Sequence, residues 1–146
     1  MKTVIIYYTL GGATKKEAER LAQELNAPVH QVREVRSRSV WSAFVPGCIQ
    51  AINRQAVSIR PLDVHLDEYD RIVIGCPVWA GHPAPAFNAM AELLPGGKEV
   101  EVFLCSGGGE TAKSEQGTRA LIERKGCTLI SYRNVMTNVP PRKMKE

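Results

Sequence analysis

The stretch that decides the fold covers residues 3–14 and reads Thr-Val-Ile-Ile-Tyr-Tyr-Thr-Leu-Gly-Gly-Ala-Thr. Its first half is β-branched and aromatic, which is the composition of a strand buried on both faces. Its second half is mostly small or hydroxyl-bearing, which suits a tight turn. An amphipathic helix follows, because apolar residues then recur at helical spacing at Ala18, Leu21, Ala22 and Leu25. The opening therefore predicts a strand, a turn and a helix in direct succession.

The start of this helix is a candidate anion site. Thr14 stands where an N-cap residue belongs, and Glu17 three residues later completes a capping-box pattern. Free backbone N–H groups and the positive end of the helix dipole meet at such a turn. A purely structural role for the glycines is the alternative that this stretch alone leaves open.

The rest of the chain alternates between strands and helices. Further strands are predicted at 29–35, 71–76, 100–105 and 128–135, and further helices at 84–94 and 112–125. Residues 36–62 are irregular, with two helical turns near 48–52, and Pro77 is expected to end the third strand. This alternation predicts an α/β fold in which a parallel sheet carries helices on both faces.

Three unusual loops follow strands of this predicted sheet, at residues 9–14, 76–82 and 105–111. They are the loops richest in glycine, hydroxyl groups and aromatic residues, and Trp79 looks exposed in the second of them. In an open parallel sheet, ligands bind at the carboxyl ends of the strands. The three loops are therefore expected to form one site.

Length and composition bound the remaining possibilities. A chain of 146 residues with 44% apolar residues is expected to form a single domain over residues 1–146, with a loosely ordered tail from about 137. No apolar run is long enough to span a membrane and no leader precedes the first strand, so a cytoplasmic protein is expected. The four cysteines are dispersed, which argues against a zinc site and a disulfide framework.

The formal charge of +4 is modest, and the basic residues form no long run, so nucleic acid is not an expected partner. Five arginines nevertheless crowd the second quarter of the chain: Arg33, Arg36, Arg38, Arg54 and Arg60. A solvated surface explains them. The alternative is a basic face on which an acidic protein or a phosphorylated cosubstrate docks.

The three loops resemble those of the flavodoxin family. The opening stretch is similar to the long family signature at Ile5, Ile6, Tyr7, Thr9, Gly12, Thr14, Ala18 and Leu21. The second loop, Pro77-Val78-Trp79-Ala80-Gly81, looks like the flavin-stacking loop of that family. The third, Ser106-Gly107-Gly108-Gly109, lies where the family places its last flavin-contacting loop. The resemblance extends over about residues 3–135, and the uninterrupted last strand is similar to the short-chain flavodoxins.

The resemblance implies a three-layer sandwich whose five-stranded parallel sheet has the order 2-1-3-4-5, and it implies noncovalently bound FMN. The phosphate would lie in the turn formed by Thr9, Leu10, Gly11, Gly12, Ala13 and Thr14, with hydroxyl donors from Thr9 and Thr14. Trp79 would stack on the flavin ring, and the glycines at 81 and 107–109 would let the backbone approach it.

Two positions depart from the family pattern. Gly11 stands where threonine is common, and Ala13 where asparagine is common. Each loses a side-chain donor to the phosphate, and a hydrogen bond to a charged group contributes on the order of 1.5–3 kcal/mol. A weaker FMN affinity than that of the best-matched members is therefore expected.

Three functions are compatible with these residues. The resemblance favours an FMN-dependent electron-transfer protein that acts between redox partner proteins. An FMN-dependent NAD(P)H reductase of quinones or similar acceptors is the alternative, and a non-redox binding module with a degenerate flavin site is the third. The basic charge is unlike that of the acidic flavodoxin carriers. No catalytic residue and no metal site is predicted.

Competing families fit less well. Residues 107–114 nearly spell a phosphate-binding Walker A loop, but Ala112 replaces its second glycine. A receiver domain of the same topology requires clustered acidic residues after the first strand, and a low-molecular-weight phosphatase requires arginine six positions after its cysteine. The residues that follow the first strand include no acidic cluster, and Thr111, not arginine, stands six positions after Cys105. Neither pattern is therefore met.

Overall fold

A parallel sheet forms the centre of the protein in a computed structural model that describes residues 1–36, 46–107 and 111–137. Its strands are β1 (Thr3–Tyr7), β2 (Val29–Gln31), β3 (Arg71–Trp79), β5 (Glu99–Ser106) and β6 (Thr128–Met136), in the order β2-β1-β3-β5-β6. A two-residue strand, β4 (His82–Pro83), pairs antiparallel with the end of β3. Apart from β4, this is the predicted five-stranded order.

Helices connect the strands. They are α1 (Ala13–Leu25), α2 (Cys48–Ile52), α3 (Pro85–Glu92) and α4 (Glu115–Arg124), with 3-10 turns at Leu66–Glu68 and Ala112–Ser114. Within the three described ranges, no helix combines the length and the apolar character that crossing a membrane demands.

The sheet separates two apolar clusters. Val4 and Ile6 of β1 point to the cluster that contains Phe87 of α3, whereas Ile5 and Tyr7 point to the cluster under α1. Successive side chains of a strand point to opposite faces, so a strand covered on both sides must be apolar throughout. The predicted layers, with helices on both faces of the sheet, are confirmed.

The third strand is longer than predicted, because Pro77 does not end it. β1 pairs with β3 only up to Gly75, so no residue of β1 lies opposite Pro77. The missing N–H of Pro77 therefore removes no ladder hydrogen bond. The carbonyl of Pro77 instead accepts a hydrogen bond from the Ala84 N–H at 3.0 Å. The predicted loop at 77–85 is thus a hairpin of β3 and β4 leading into α3.

The first helix begins differently from the prediction. Its N-cap is Gly12, with φ +92°, and Thr14 is the second helical residue. The predicted capping box between Thr14 and Glu17 is therefore wrong: Glu17 pairs with Arg20 at 2.8 Å and with Arg133 at 3.3 Å. Gly12 tolerates positive φ, so the chain can turn at this residue. The helix therefore starts at Ala13, before the predicted cap at Thr14.

Some predictions fall outside the described residues. Gly108 and Gly109 of the third loop, Arg38, and all of the tail from 138 onward belong to that part of the chain. The second predicted strand, at 29–35, ends at Gln31, although Glu34 forms an isolated antiparallel bridge with Ile59.

Candidate functional site

The three predicted loops meet at the carboxyl edge of the sheet. Tyr8, directly after β1, donates its N–H to the carbonyl of Gly75 in β3 at 2.9 Å. Pro77 of β3 pairs with Cys105 near the end of β5. Parallel strands end at the same edge, so the turn after β1, the β3–β4 hairpin and Ser106–Gly107 are neighbours, as predicted.

The turn after β1 is closed by its own side chain and by Gly12. The Thr9 Oγ1 accepts a hydrogen bond from the Gly12 N–H at 3.0 Å. The Gly12 carbonyl then accepts the first helical hydrogen bond, from the Lys16 N–H at 3.1 Å. A Cβ at Gly12 would meet no atom within 4 Å, so its φ of +92°, and not crowding, is what requires glycine.

This geometry leaves a group of backbone donors without acceptors. Within the described residues, five N–H groups of the turn and the first helical turn have no hydrogen-bond partner: those of Leu10, Gly11, Ala13, Thr14 and Lys15. They stand at the N-terminus of a 13-residue helix, where the helix dipole is positive. The turn can therefore hold an anion with its backbone alone.

The side chain of Thr14 has another contact. Thr14 is buried, and its hydroxyl lies near the Cys105 thiol. Burial raises the pKa of Cys105 to about 11, and the Thr14 hydroxyl opposes this rise by a smaller amount. Donation from the Thr14 hydroxyl to a phosphate stays a prediction and competes with this internal contact, whereas the Thr14 N–H is unengaged.

The second loop is a tight hairpin whose two central residues both have positive φ. Ala80 has φ +54° and Gly81 has φ +80°, between the paired residues Trp79 and His82. Positive φ at both central positions defines a turn that matches the twist of a hairpin, and Asn-Gly is its usual sequence. Ala80 occupies a conformation that costs alanine energy, and its exposed position puts the hairpin tip at the surface.

The Trp79 ring is buried, contrary to the expectation that it is exposed. It is 6% accessible and packs edge-on against Tyr8, with 6.0 Å between ring centroids and an interplanar angle of 81°. The Tyr8 hydroxyl in turn donates to the buried Glu34 at 2.6 Å. Stacking of Trp79 on a flavin stays a prediction, and in this structure it requires the ring to be uncovered.

The third loop is represented by Ser106 and Gly107. The Ser106 hydroxyl donates to the Asn134 Oδ1 at 3.1 Å, and the Ser106 carbonyl accepts from the Thr137 N–H at 2.8 Å. Gly107 is exposed at the end of β5. The hydroxyl of Ser106 therefore serves to join β5 to β6, and Gly107 offers accessible backbone.

Sequence reasoning missed a polar network behind the hairpin. Arg54 Nη2 donates to the Ser114 carbonyl at 2.9 Å and to the Ser114 Oγ at 2.8 Å, and His82 Nδ1 lies 3.1 Å from that Oγ. Burial, and secondarily the Arg54 charge, lowers the pKa of His82. The network joins the hairpin to the start of α4. Only the position of His82 beside the second loop hinted at it.

Two cavities lined by described residues lie away from this edge. One, of about 400 Å³, lies between α1 and the sheet, and the other, of about 340 Å³, lies beside the turn at Leu66–Glu68. Neither includes a residue of the three loops. The case for a site at the carboxyl edge therefore depends on the unpaired backbone donors.

Comparisons with known proteins agree with the fold. No protein-family model matches the sequence, and comparison with curated protein sequences gives no match. Among solved structures, a flavoprotein of Lactobacillus acidophilus NCFM in complex with FMN is 25% identical, with a TM-score of 0.74 over 91% of this chain and 92% of its own. The apo-form of the flavoprotein from the same organism is 26% identical, with a TM-score of 0.71 over 99% and 97%.

A more distant likeness shows the fold alone. The two-electron reduced flavodoxin of Megasphaera elsdenii is 22% identical, with a TM-score of 0.53 over 98% of this chain and 93% of its own. Together with the strand order and the helices on both faces of the sheet, these likenesses show that the chain has a flavodoxin-like fold.

Proposed function

We propose that this protein binds FMN noncovalently and carries electrons between redox proteins. The observation that carries the proposal is the group of five unpaired backbone N–H groups at residues 10, 11 and 13–15. The similar flavoprotein of Lactobacillus acidophilus was solved in complex with FMN, which supports the same cofactor.

The charges around the turn favour a phosphate. The first turn of α1 contains no acidic residue, and Lys15 and Lys16 within it are exposed. Positive side chains at a helix N-terminus oppose the dipole, so this arrangement is unfavourable until an anion binds. A phosphate dianion would accept hydrogen bonds from the N–H groups and from the Thr9 hydroxyl, whose proton is not used by the bond to Gly12.

The hairpin would contact the flavin ring. Ala80 and Gly81 present backbone at the same edge as the turn, and Val78 is half-buried beside them. When bound, FMN supplies the one-electron chemistry. The hairpin and the end of β5 would hold the ring between them, and Trp79 would stack on it once its own ring is uncovered.

The carrier role is supported by the shortness of the third loop. In the sequence, residues 107–111 separate β5 from the turn at Ala112–Ser114, which leaves little chain there to form a further pocket. A reductase needs a second pocket beside the flavin for the nicotinamide.

The four cysteines are all unpaired thiols, which is compatible with the proposed location in the cytoplasm.

Titration of the apo-protein with FMN, followed by the quenching of flavin fluorescence, tests the proposal. We expect saturable binding of FMN and weaker binding of riboflavin, which has the same ring without the phosphate. FMN concentrations on the order of tens of micromolar still detect weak sites. Absence of binding in this range would overturn the proposal.

The reaction class is tested on the FMN-loaded protein under anaerobic conditions. We expect slow reduction by NADPH alone and, on partial chemical reduction, the long-wavelength absorbance of a one-electron-reduced flavin. Rapid bleaching by NADPH would instead place the protein among the FMN-dependent reductases.

A further inference from the structure

A small antiparallel ladder extends the carboxyl edge of the sheet beyond β2. The Val35 N–H donates to the Ser58 carbonyl at 2.9 Å, and the Arg60 N–H donates to the Arg33 carbonyl at 2.8 Å. These bonds flank the bridge between Glu34 and Ile59. The ladder therefore sets Arg33 directly opposite Arg60.

The two faces of the ladder differ sharply. Glu34 is buried and Ile59 is partly buried, whereas Arg33, Val35, Ser58 and Arg60 are exposed. Because side chains alternate along a strand, these four exposed residues share one face, which we call the basic face. Two like charges opposite each other on a ladder repel, so this arrangement does not serve the stability of the fold.

The arginines of the basic face also lack the partners that other arginines have. Four arginines form ion pairs with glutamates: Arg20, Arg71, Arg119 and Arg133. In the described part of the chain, no carboxylate pairs with Arg33 or Arg60, and the Arg33 guanidinium donates only to the Gln31 Oε1 at 3.2 Å. Their charge is therefore free to attract an acidic group from outside.

The basic face lies next to the candidate FMN turn. Tyr7 of β1 pairs with Gln31 of β2, and the Val32 N–H donates to the Tyr7 carbonyl at 2.7 Å. Because the two strands are parallel and in register, Arg33 follows β2 at the level where Thr9 follows β1. Burial raises the pKa of Tyr7, and the nearby charge of Arg33 partly opposes that rise.

We propose that the basic face of Arg33, Val35, Ser58 and Arg60 is the docking surface for an acidic redox partner protein. This inference rests on the proposed FMN function, since docking beside the turn brings a partner close to the flavin. Val35 is 55% exposed between the charges, and an apolar residue among arginines is typical of protein interfaces. All four side chains of the basic face are exposed, and small molecules bind in concave sites, so a protein surface fits this face better than a phosphorylated small molecule.

Two haem proteins of opposite charge serve as probes. The FMN-loaded protein is reduced anaerobically and mixed rapidly with acidic cytochrome b5 or with basic cytochrome c. One electron passes from the reduced flavin to the ferric haem iron, which becomes ferrous, and the flavin is oxidised by one electron and releases a proton to solvent. We expect the rate constant with cytochrome b5 to fall as salt is added, because salt screens the attraction.

The double variant Arg33→Gln/Arg60→Gln is compared with Arg124→Gln/Lys125→Gln. The control pair is exposed at the end of α4, on the opposite edge of the sheet, and loses the same net charge. We expect the first variant to slow the reaction with cytochrome b5 by about tenfold at low salt and the control to change it by less than about twofold. Equal rates for the two variants, or an attractive salt dependence with cytochrome c, would overturn the proposal.

Two further measurements separate this inference from the proposed function. If NADPH reduces the flavin more slowly in the Arg33→Gln/Arg60→Gln variant while the cytochrome b5 rate is unchanged, the face binds a phosphorylated cosubstrate and the proposal fails. NMR titration of the apo-protein with cytochrome b5 needs no flavin. We expect amide shifts at residues 33–36 and 58–60, and shifts confined to other surfaces would contradict the docking site even if FMN binding fails.

Discussion

Gly75 shows how a single residue fixes the packing of the central strand. A Cβ built on it would lie 2.1 Å from the Cζ of Phe103, a buried side chain on the neighbouring strand. The ring of Phe103 therefore rests directly on the Gly75 backbone, and no other residue leaves that space. Glycine in a strand normally destabilises it. At position 75 glycine is needed because it lets the Phe103 ring approach the backbone closely.

We expect Gly75→Ala to lower the free energy of unfolding by about 1–3 kcal/mol, because Phe103 must move or adopt an unfavourable rotamer. Urea denaturation measures the change. Gly96→Ala is the matched control: its Cβ would be 3.5 Å from the nearest atom, an ordinary contact, and we expect a change within about 0.5 kcal/mol. Equal effects of the two substitutions would show that Phe103 does not rest on Gly75.

His82 makes stability depend on pH. Its folded pKa is lowered from the ordinary 6.5 by burial and by the Arg54 charge, so the unfolded chain takes up the proton first as pH falls. The contribution of neutral His82 is complete above about pH 6.5 and is lost as pH falls below that value towards the lowered folded pKa.

We therefore expect His82→Gln to reduce the loss of unfolding free energy between about pH 7.5 and pH 5.5, a window that brackets the unfolded pKa. Chemical denaturation at several pH values measures the slope. The control is the exposed His65→Gln, since His65 lies outside the network of Arg54 and Ser114. A slope that is identical in wild type and His82→Gln would contradict the assignment.

At the scale of elements, the turn between β1 and α1 was predicted correctly as an element but not in its detail, and its role as an anion site stays a prediction. The succession of an apolar strand, glycines and a helix was the basis for predicting an anion site at the N-terminus of that helix. The sequence could not show that Gly12 caps the helix or that the Thr14 hydroxyl faces Cys105, because both depend on contacts between elements distant in sequence.

The turn gives a prediction about Thr9. Thr9→Val removes both the acceptor for the Gly12 N–H and a hydroxyl donor. We expect the FMN dissociation constant to rise about ten- to a hundredfold, as the loss of a hydrogen bond to a charged group would cause. Riboflavin binding, measured in the same titration, should change little because it has no phosphate.

Thr128→Val is the control for Thr9→Val, since Thr128 is exposed at the start of β6, on the opposite edge of the sheet. Equal loss of affinity for FMN and riboflavin in the Thr9 variant would indicate that the turn contacts the ring and not the phosphate.

The hairpin gives a second prediction at this scale. Ala80 has φ +54°, a conformation that costs an L-residue about 1–2 kcal/mol and a β-branched residue more. We expect Ala80→Val to destabilise the protein and to weaken FMN binding, whereas Ala80→Gly should preserve both. Thermal unfolding and the FMN titration provide the two readouts. Tolerance of valine would show that the turn has another conformation in solution.

At the scale of the whole molecule, the alternation of strands and helices was sufficient to predict the parallel sheet and its two helical layers. Local pattern could not predict that β3 runs through Pro77, because this depends on β1 ending at Tyr7. It also could not predict the burial of Trp79, since the edge contact with Tyr8 forms only when β1 and β3 are adjacent.

The central claim is that backbone N–H groups of the turn after β1 hold the phosphate of FMN. An NMR titration of the ¹⁵N-labelled apo-protein tests it most directly. We predict that FMN shifts the amide resonances of residues 10, 11 and 13–15, and that riboflavin leaves them nearly unchanged while shifting those of 79–82. FMN binding without shifts at 10–15, or no FMN binding at all, would contradict the account.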